Sequence, residues 1–163
     1  MRFPAACCVA SLALAAGWLP GRATPHELTD ELRAQVKREA TAFLGSYIEV
    51  LEGDDADAIR ALFVADDRFV WYSDGARKYT SADEVLEGLA AMGEMQFQTE
   101  STGAEVVPLT PDLAHARTTF TSKILQGGAV VYEFSGAITW VLEQGSDEEW
   151  RVLSGHTSTP KPR

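Results

Sequence analysis

From Val130 to Leu142 the chain alternates. One parity reads Val130, Tyr132, Phe134, Gly136, Ile138, Trp140, Leu142 and the other Val131, Glu133, Ser135, Ala137, Thr139, Val141. A period of two predicts a strand, here with one apolar, aromatic face and one mixed face. A second strand-like run, Ala116 to Ile124, precedes it across Gln126-Gly127-Gly128-Ala129, a hairpin signal. A third, Trp150 to Ser158, follows a polar loop, and its even positions place Trp150, Val152, Ser154 and His156 on one side. A meander with one greasy face needs a cover.

The earlier half of the chain supplies one. Leu32, Val36, Ala40, Phe43, Tyr47 and Leu51 recur every three or four residues, predicting an amphipathic helix of about 25 residues that opens at the capping box Thr24-Pro25-His26-Glu27 and stops at Gly53. Asp54 or Asp55 caps a shorter helix with Ala58, Ile59, Leu62 and Phe63 on its apolar side, ending near Asp66-Asp67. Arg68 to Tyr72 reads as a strand and Ser73-Asp74-Gly75 as its turn. Ser81-Ala82-Asp83-Glu84 opens a third helix, with Val85, Leu86, Leu89 and Met92 on one side and an end near Gly93. A further strand is expected from Met95 to Val107, interrupted at Gly103, then a loop from Pro108 to Asp112. Helices early and strands late predict an α+β fold: a long N-terminal helix and two shorter helices packed in the concave face of a strongly curved, mostly antiparallel sheet. Such a cone has a hollow at its wide end, where a ligand would sit.

The ends change the picture of what is folded. Arg2, the apolar run Ala5 to Leu19 and the small residues Gly21 and Ala23 have the order of a secretory signal, so cleavage after Ala23 is expected and the localisation is secreted or periplasmic. The alternative is an uncleaved anchor, against which the run is shorter than the roughly 20 residues that span a bilayer. Cys7 and Cys8 both fall inside this segment, leaving residues 24–158 as a domain without disulfides and 159–163, with two prolines, as a disordered tail. The chain has 14 Lys and Arg against 24 Asp and Glu, a net charge of −10. Without a basic cluster, nucleic acid and anionic membrane surfaces are excluded as partners, and no stable membrane insertion is expected once the signal is gone.

Three local patterns in this order resemble the SnoaL-like branch of the nuclear-transport-factor-like superfamily: Gly53-Asp54 with Ala58-Ile59-Arg60-Ala61-Leu62-Phe63 and Asp66-Asp67; Val70 to Gly75 followed by the Ser81 to Met92 helix; and Trp150-Arg151-Val152 through His156-Thr157-Ser158. The resemblance implies a cone-shaped (cystatin-like) fold with a pocket, no metal or other cofactor, and a homodimer packed through the convex face of the sheet. It implies no single activity, since relatives include cyclases, isomerases, dehydratases, epoxide hydrolases and members with no known reaction.

Candidate chemistry centres on His156, which on the inner face would be a titratable group in an aromatic cavity, able to move a proton. Its other reading is a structural histidine held by neighbouring hydroxyls or carboxylates. Tyr47 and Tyr72 could polarise a ligand carbonyl, or be core tyrosines with hydroxyls at the surface. Asp67, or its neighbour Asp66, could supply the assisting carboxylate, or face solvent at a helix exit. Trp71, Tyr72, Phe97, Phe120, Tyr132, Phe134 and Trp140 would line the hollow for a small apolar or aromatic molecule, or fill the core. No cysteine nucleophile remains after the signal, no phosphate loop or Gly-x-Ser-x-Gly elbow occurs, and His26, His115 and His156 lack metal-ligand spacing. Three function classes stay open: a ligand-binding domain, a metal-free isomerase, cyclase or dehydratase, and an interaction module that uses the sheet face carrying Arg117, Thr119, Thr121, Lys123, Glu133 and Ser135.

Overall fold

The computed structural model describes residues 28–160, so the expected signal segment and the capping box at Thr24 lie outside the described residues. Helix α1, Asp30–Glu52, begins where the Thr29 hydroxyl accepts from the Leu32 amide at 3.2 Å. Its buried face is Val36, Ala40, Leu44 and Tyr47, one residue per turn, which is the spacing the hydrophobic pattern requires. Asp55 caps α2, Ala56–Ala61, accepting from the Asp57 and Ala58 amides. In α3, Ala82–Ala90, Ser81 accepts from the Glu84 amide, while the Glu84 carboxylate reaches back to the Thr80 amide and hydroxyl.

Seven strands make one sheet: β1, Val70–Ser73; β2, Ala76–Tyr79; β3, Gln96–Ser101; β4, Glu105–Thr110; β5, Leu113–Gln126; β6, Ala129–Gln144; and β7, Trp150–Ser158. The order is β2-β1-β7-β6-β5-β3, with β4 also on β5, and every pairing is antiparallel except β1 with β7. The expected α+β cone is therefore the observed one. It differs in three places. Asp74-Gly75, both at positive φ, turn the chain into β2, a strand the sequence reading left out. The expected strand from Met95 to Val107 is two, β3 and β4, divided at Gly103 (φ +90°). The expected loop at Pro108 is the end of β4, where an edge strand accommodates a residue that cannot donate to the ladder.

The sheet curls around α1. Val36, Ala40, Leu44 and Tyr47 share one core with Ala114, Ala116, Ile138, Trp140, Leu142 and Val152. Each large side chain buried there contributes about 1.5–3 kcal/mol. Glu39 ties the closed end of the cone, accepting from Trp150 Nε1 at 3.3 Å and Gln144 Nε2 at 3.4 Å. Arg68 joins the entry to β1 to the end of β6, paired with both Asp66 and Glu143 at 2.7 Å.

One irregularity decides which side chains face inward. Leu142 pairs with Val152 but Val141 pairs with Ser154, so Leu153 is an extra residue in β7. Beside this bulge the chain leaving α2 docks on β7, with Val64 donating to the Val152 carbonyl and Val152 to that of Leu62. Trp150 and Val152 face the core before the bulge; beyond it the parity is reversed, Gly155 standing beside inward Trp140 and His156 beside Thr139. The single face expected for Trp150, Val152, Ser154 and His156 does not exist.

Candidate ligand site

The open end of the cone holds a hollow of about 590 Å³ between the β1–β2 hairpin and the projecting end of the β5–β6 hairpin. Its apolar wall is Trp71, Tyr79, Ile124, Tyr132 and Phe134. Register explains the assembly: Trp71 pairs with Tyr79, and Ile124 pairs with Tyr132, so each cross-strand pair projects from one face. Tyr132 stacks on Phe134 with ring centroids 5.7 Å apart and an interplanar angle of 22°, and Phe120 braces Phe134 edge-on at 5.8 Å from behind. Tyr132 is nonetheless 54 % exposed. Ser73, Asp74, Lys78, Thr157 and Thr159 give the polar rim. Thr159, expected in the disordered tail, is instead fastened to the rim: its amide and hydroxyl donate to the Asp74 carboxylate at 2.7–3.1 Å.

A second hollow, about 550 Å³, adjoins the first, since its Phe97 is the register partner of Ile124. Ile48, Leu51, Leu89, Met92 and Met95 complete its wall. At its polar side Glu52 accepts from the Thr99 amide at 2.9 Å, and the Thr99 hydroxyl bonds to the buried Ser122 at 2.8 Å. That contact satisfies an edge-strand amide and accounts for an acid at the unfavourable end of α1.

The expected site residues are distributed over four places. Trp71, Tyr132 and Phe134 line the first hollow and Phe97 the second. Phe120 and Trp140 are buried, the latter packed edge-on against Tyr47 at 5.8 Å. Tyr47 is 3 % exposed, and burial pushes its phenol well above the usual range; Trp140 Nε1 opposes this weakly, making no full hydrogen bond of its own. Tyr72 and His156, register partners, point from the outer face into a shallow depression of about 260 Å³ shared with His115 and Thr139. Asp66 and Asp67 are exposed before β1, and hydrogen bonds from Arg68 hold the Asp66 carboxyl below its ordinary range. His156, Tyr47 and Asp67 are thus not brought together: one is on the outer face, one in the core, one on an exposed loop. The sequence spacing carried no information about the bulge that turns His156 outward. Tyr79 and Lys78 were missed because β2 was, and the Asp74-Gly75 turn was the signal for it; Ile124 lies on the expected β5, where only its register with Tyr132 shows that it joins the wall. Among the described residues, no three His, Cys, Asp or Glu side chains converge as metal ligands.

No family model matches the sequence, and no curated protein matches it. Solved structures do. A nuclear transport factor 2 (NTF2-like) superfamily protein from Salmonella enterica serovar Typhimurium superposes with a TM-score of 0.67 at 15% identity, over 79% of this chain and 94% of that one. The chain has the nuclear-transport-factor-like fold. A ketosteroid isomerase-like protein from Erwinia carotovora atroseptica gives a TM-score of 0.57 at 21% identity, over 82% and 100%. A protein from Catenulispora acidiphila, solved in complex with S-DNPA, gives 0.64 at 12% identity, over 78% and 95%. In this nuclear-transport-factor-like domain the outer face of the sheet carries a mixed apolar and polar patch. Val70, Tyr72, Ser154, His156, Thr139, Val141 and His115 form its centre, and Arg117 is paired with Glu105 at 2.8 Å. Val107, 40 % exposed, extends the patch beside His115.

Proposed function

We propose that this domain binds a small, flat, apolar or aromatic molecule in the first hollow. The observation that carries the reading is the Tyr132–Phe134 stack: two rings held by packing, one more than half exposed, facing Trp71 across a cavity of ligand size. An exposed aromatic pair in a concave site gains most when a planar ligand displaces its water. The S-DNPA complex of the Catenulispora protein supports small-molecule binding in this fold. Binding is favoured over catalysis because no acid–base pair faces the hollow from the groups first expected to act.

The test is isothermal titration of the purified domain against a panel of planar aromatic compounds, alongside native mass spectrometry of protein purified from its own host. A retained or titrated ligand, lost in Tyr132→Ala without a fall in melting temperature, supports the reading; a protein that stays empty throughout overturns it. The outer-face patch supports a second reading, a homodimer joined through Tyr72, Val107 and Val141, for which sedimentation of wild type against Tyr72→Glu is the measurement. Export rests on residues 1–23 alone and is tested by sequencing the N-terminus of the cell-derived protein, expected at Thr24.

A further inference from the structure

We infer that the ligand of the first hollow is an aromatic anion, with its ring on the Tyr132–Phe134 stack and its negative group at Lys78. The inference rests on the binding reading above and adds the charge of the ligand. Lys78 lines the hollow with its ammonium 5.7 Å from the centroid of the Tyr79 ring. It makes no ion pair among the described residues, unlike Arg60, Arg68, Arg117 and Arg151, so its charge is left for a ligand. The acid in the lining, Asp74, accepts hydrogen bonds from Thr159 on both carboxylate oxygens. The rim thus presents an ammonium with donors to spare, together with hydroxyls of Ser73 and Thr157 that can donate to the same negative group. A cationic ligand would meet this ammonium at the lip, where like charges oppose binding. The net charge of −10 acts over longer distances and is screened beyond about 8 Å in physiological salt, so the local ammonium decides the contact. The ring end of Tyr79 lies against Gly88 of α3, where any side chain would collide with it, so the glycine lets the ring sit under the ammonium.

The experiment compares two probes of one shape by isothermal titration at pH 7: 2-naphthoate, an anion, and 2-naphthalenemethanol, its neutral counterpart. The naphthoate is expected to bind about fivefold more tightly, the scale of a solvent-facing ion pair. In Lys78→Gln the two probes are expected to bind alike, and in Lys78→Arg the preference is expected to return. Equal binding of both probes to wild type overturns the anion inference and leaves the hollow as a neutral aromatic site. Preference for naphthoate that persists in Lys78→Gln overturns the role of Lys78. Failure of both probes to bind overturns the inference and counts against the hollow itself.

Discussion

Trp71 lies against Gly155: the two are register partners on β1 and β7, and a Cβ at Gly155 would enter the six-membered ring of the indole. A glycine in the middle of a strand ordinarily weakens it, and here its bare backbone lets the indole lie flat and form one wall of the hollow. Gly155→Val is therefore expected to force Trp71 out, lowering stability by about 1–3 kcal/mol, the usual cost of overpacking. The same variant should weaken ligand binding. Denaturant unfolding and a red shift of tryptophan emission check this; an unchanged emission maximum would place the indole elsewhere.

Tyr47 gives a sign-definite pH dependence. Its phenol titrates above its unfolded value because burial disfavours the charged form, so its contribution is fully present below about pH 10 and is lost as pH rises further. In a spectrophotometric titration one of the four tyrosines should ionise only together with alkaline unfolding, and Tyr47→Phe should remove that step. Tyr47→Ala, leaving a void between Phe63 and Trp140, is expected to cost about 3–5 kcal/mol.

At the acid limit the sign reverses. Hydrogen bonds from Gln35 and Trp150 lower the Glu39 carboxyl, and Arg151 holds Asp147 down to about 2. Stability from these carboxylates is present above the ordinary unfolded carboxylate range near 4 and is lost as pH falls through the lowered folded values. Glu39→Gln should flatten the acid limb of melting temperature against pH. A limb unchanged in that variant would show that the closed end of the cone does not depend on this charge.

The rim latch makes a local prediction. Asp74→Ala removes the acceptor for the Thr159 amide, so that amide should lose its protection in hydrogen exchange while protection in β6 and β7 stays as in wild type. Global loss of protection would mean that the latch supports the whole sheet.

His156 separates the two surfaces. Because it stands on the outer face, His156→Ala is expected to leave ligand affinity in the hollow unchanged and to weaken self-association; loss of ligand binding with an intact fold would place it in the ligand site.

The local pattern alone determined the fold class, the three helices, the caps of the second and third at Asp55 and Ser81, and the long β5–β6–β7 meander, because these depend on short spacings that a single segment carries within itself; the first helix is capped at Thr29 and not at the expected Thr24. The same pattern also marked Trp71, Tyr132 and Phe134 as residues of an aromatic face. Tertiary structure decided which aromatics meet water. Phe120 and Trp140 have the same parity as Tyr132 and Phe134, yet they are covered by Phe134 and by α1, while the end of the β5–β6 hairpin projects past the helices. It decided the site of His156 as well, through one extra residue at Leu153 whose cause is the docking of Leu62–Val64 on β7, a contact some 90 positions apart in the sequence. A period read along one strand assumes an unbroken pleat, and only the partner strand can reveal that the pleat has slipped.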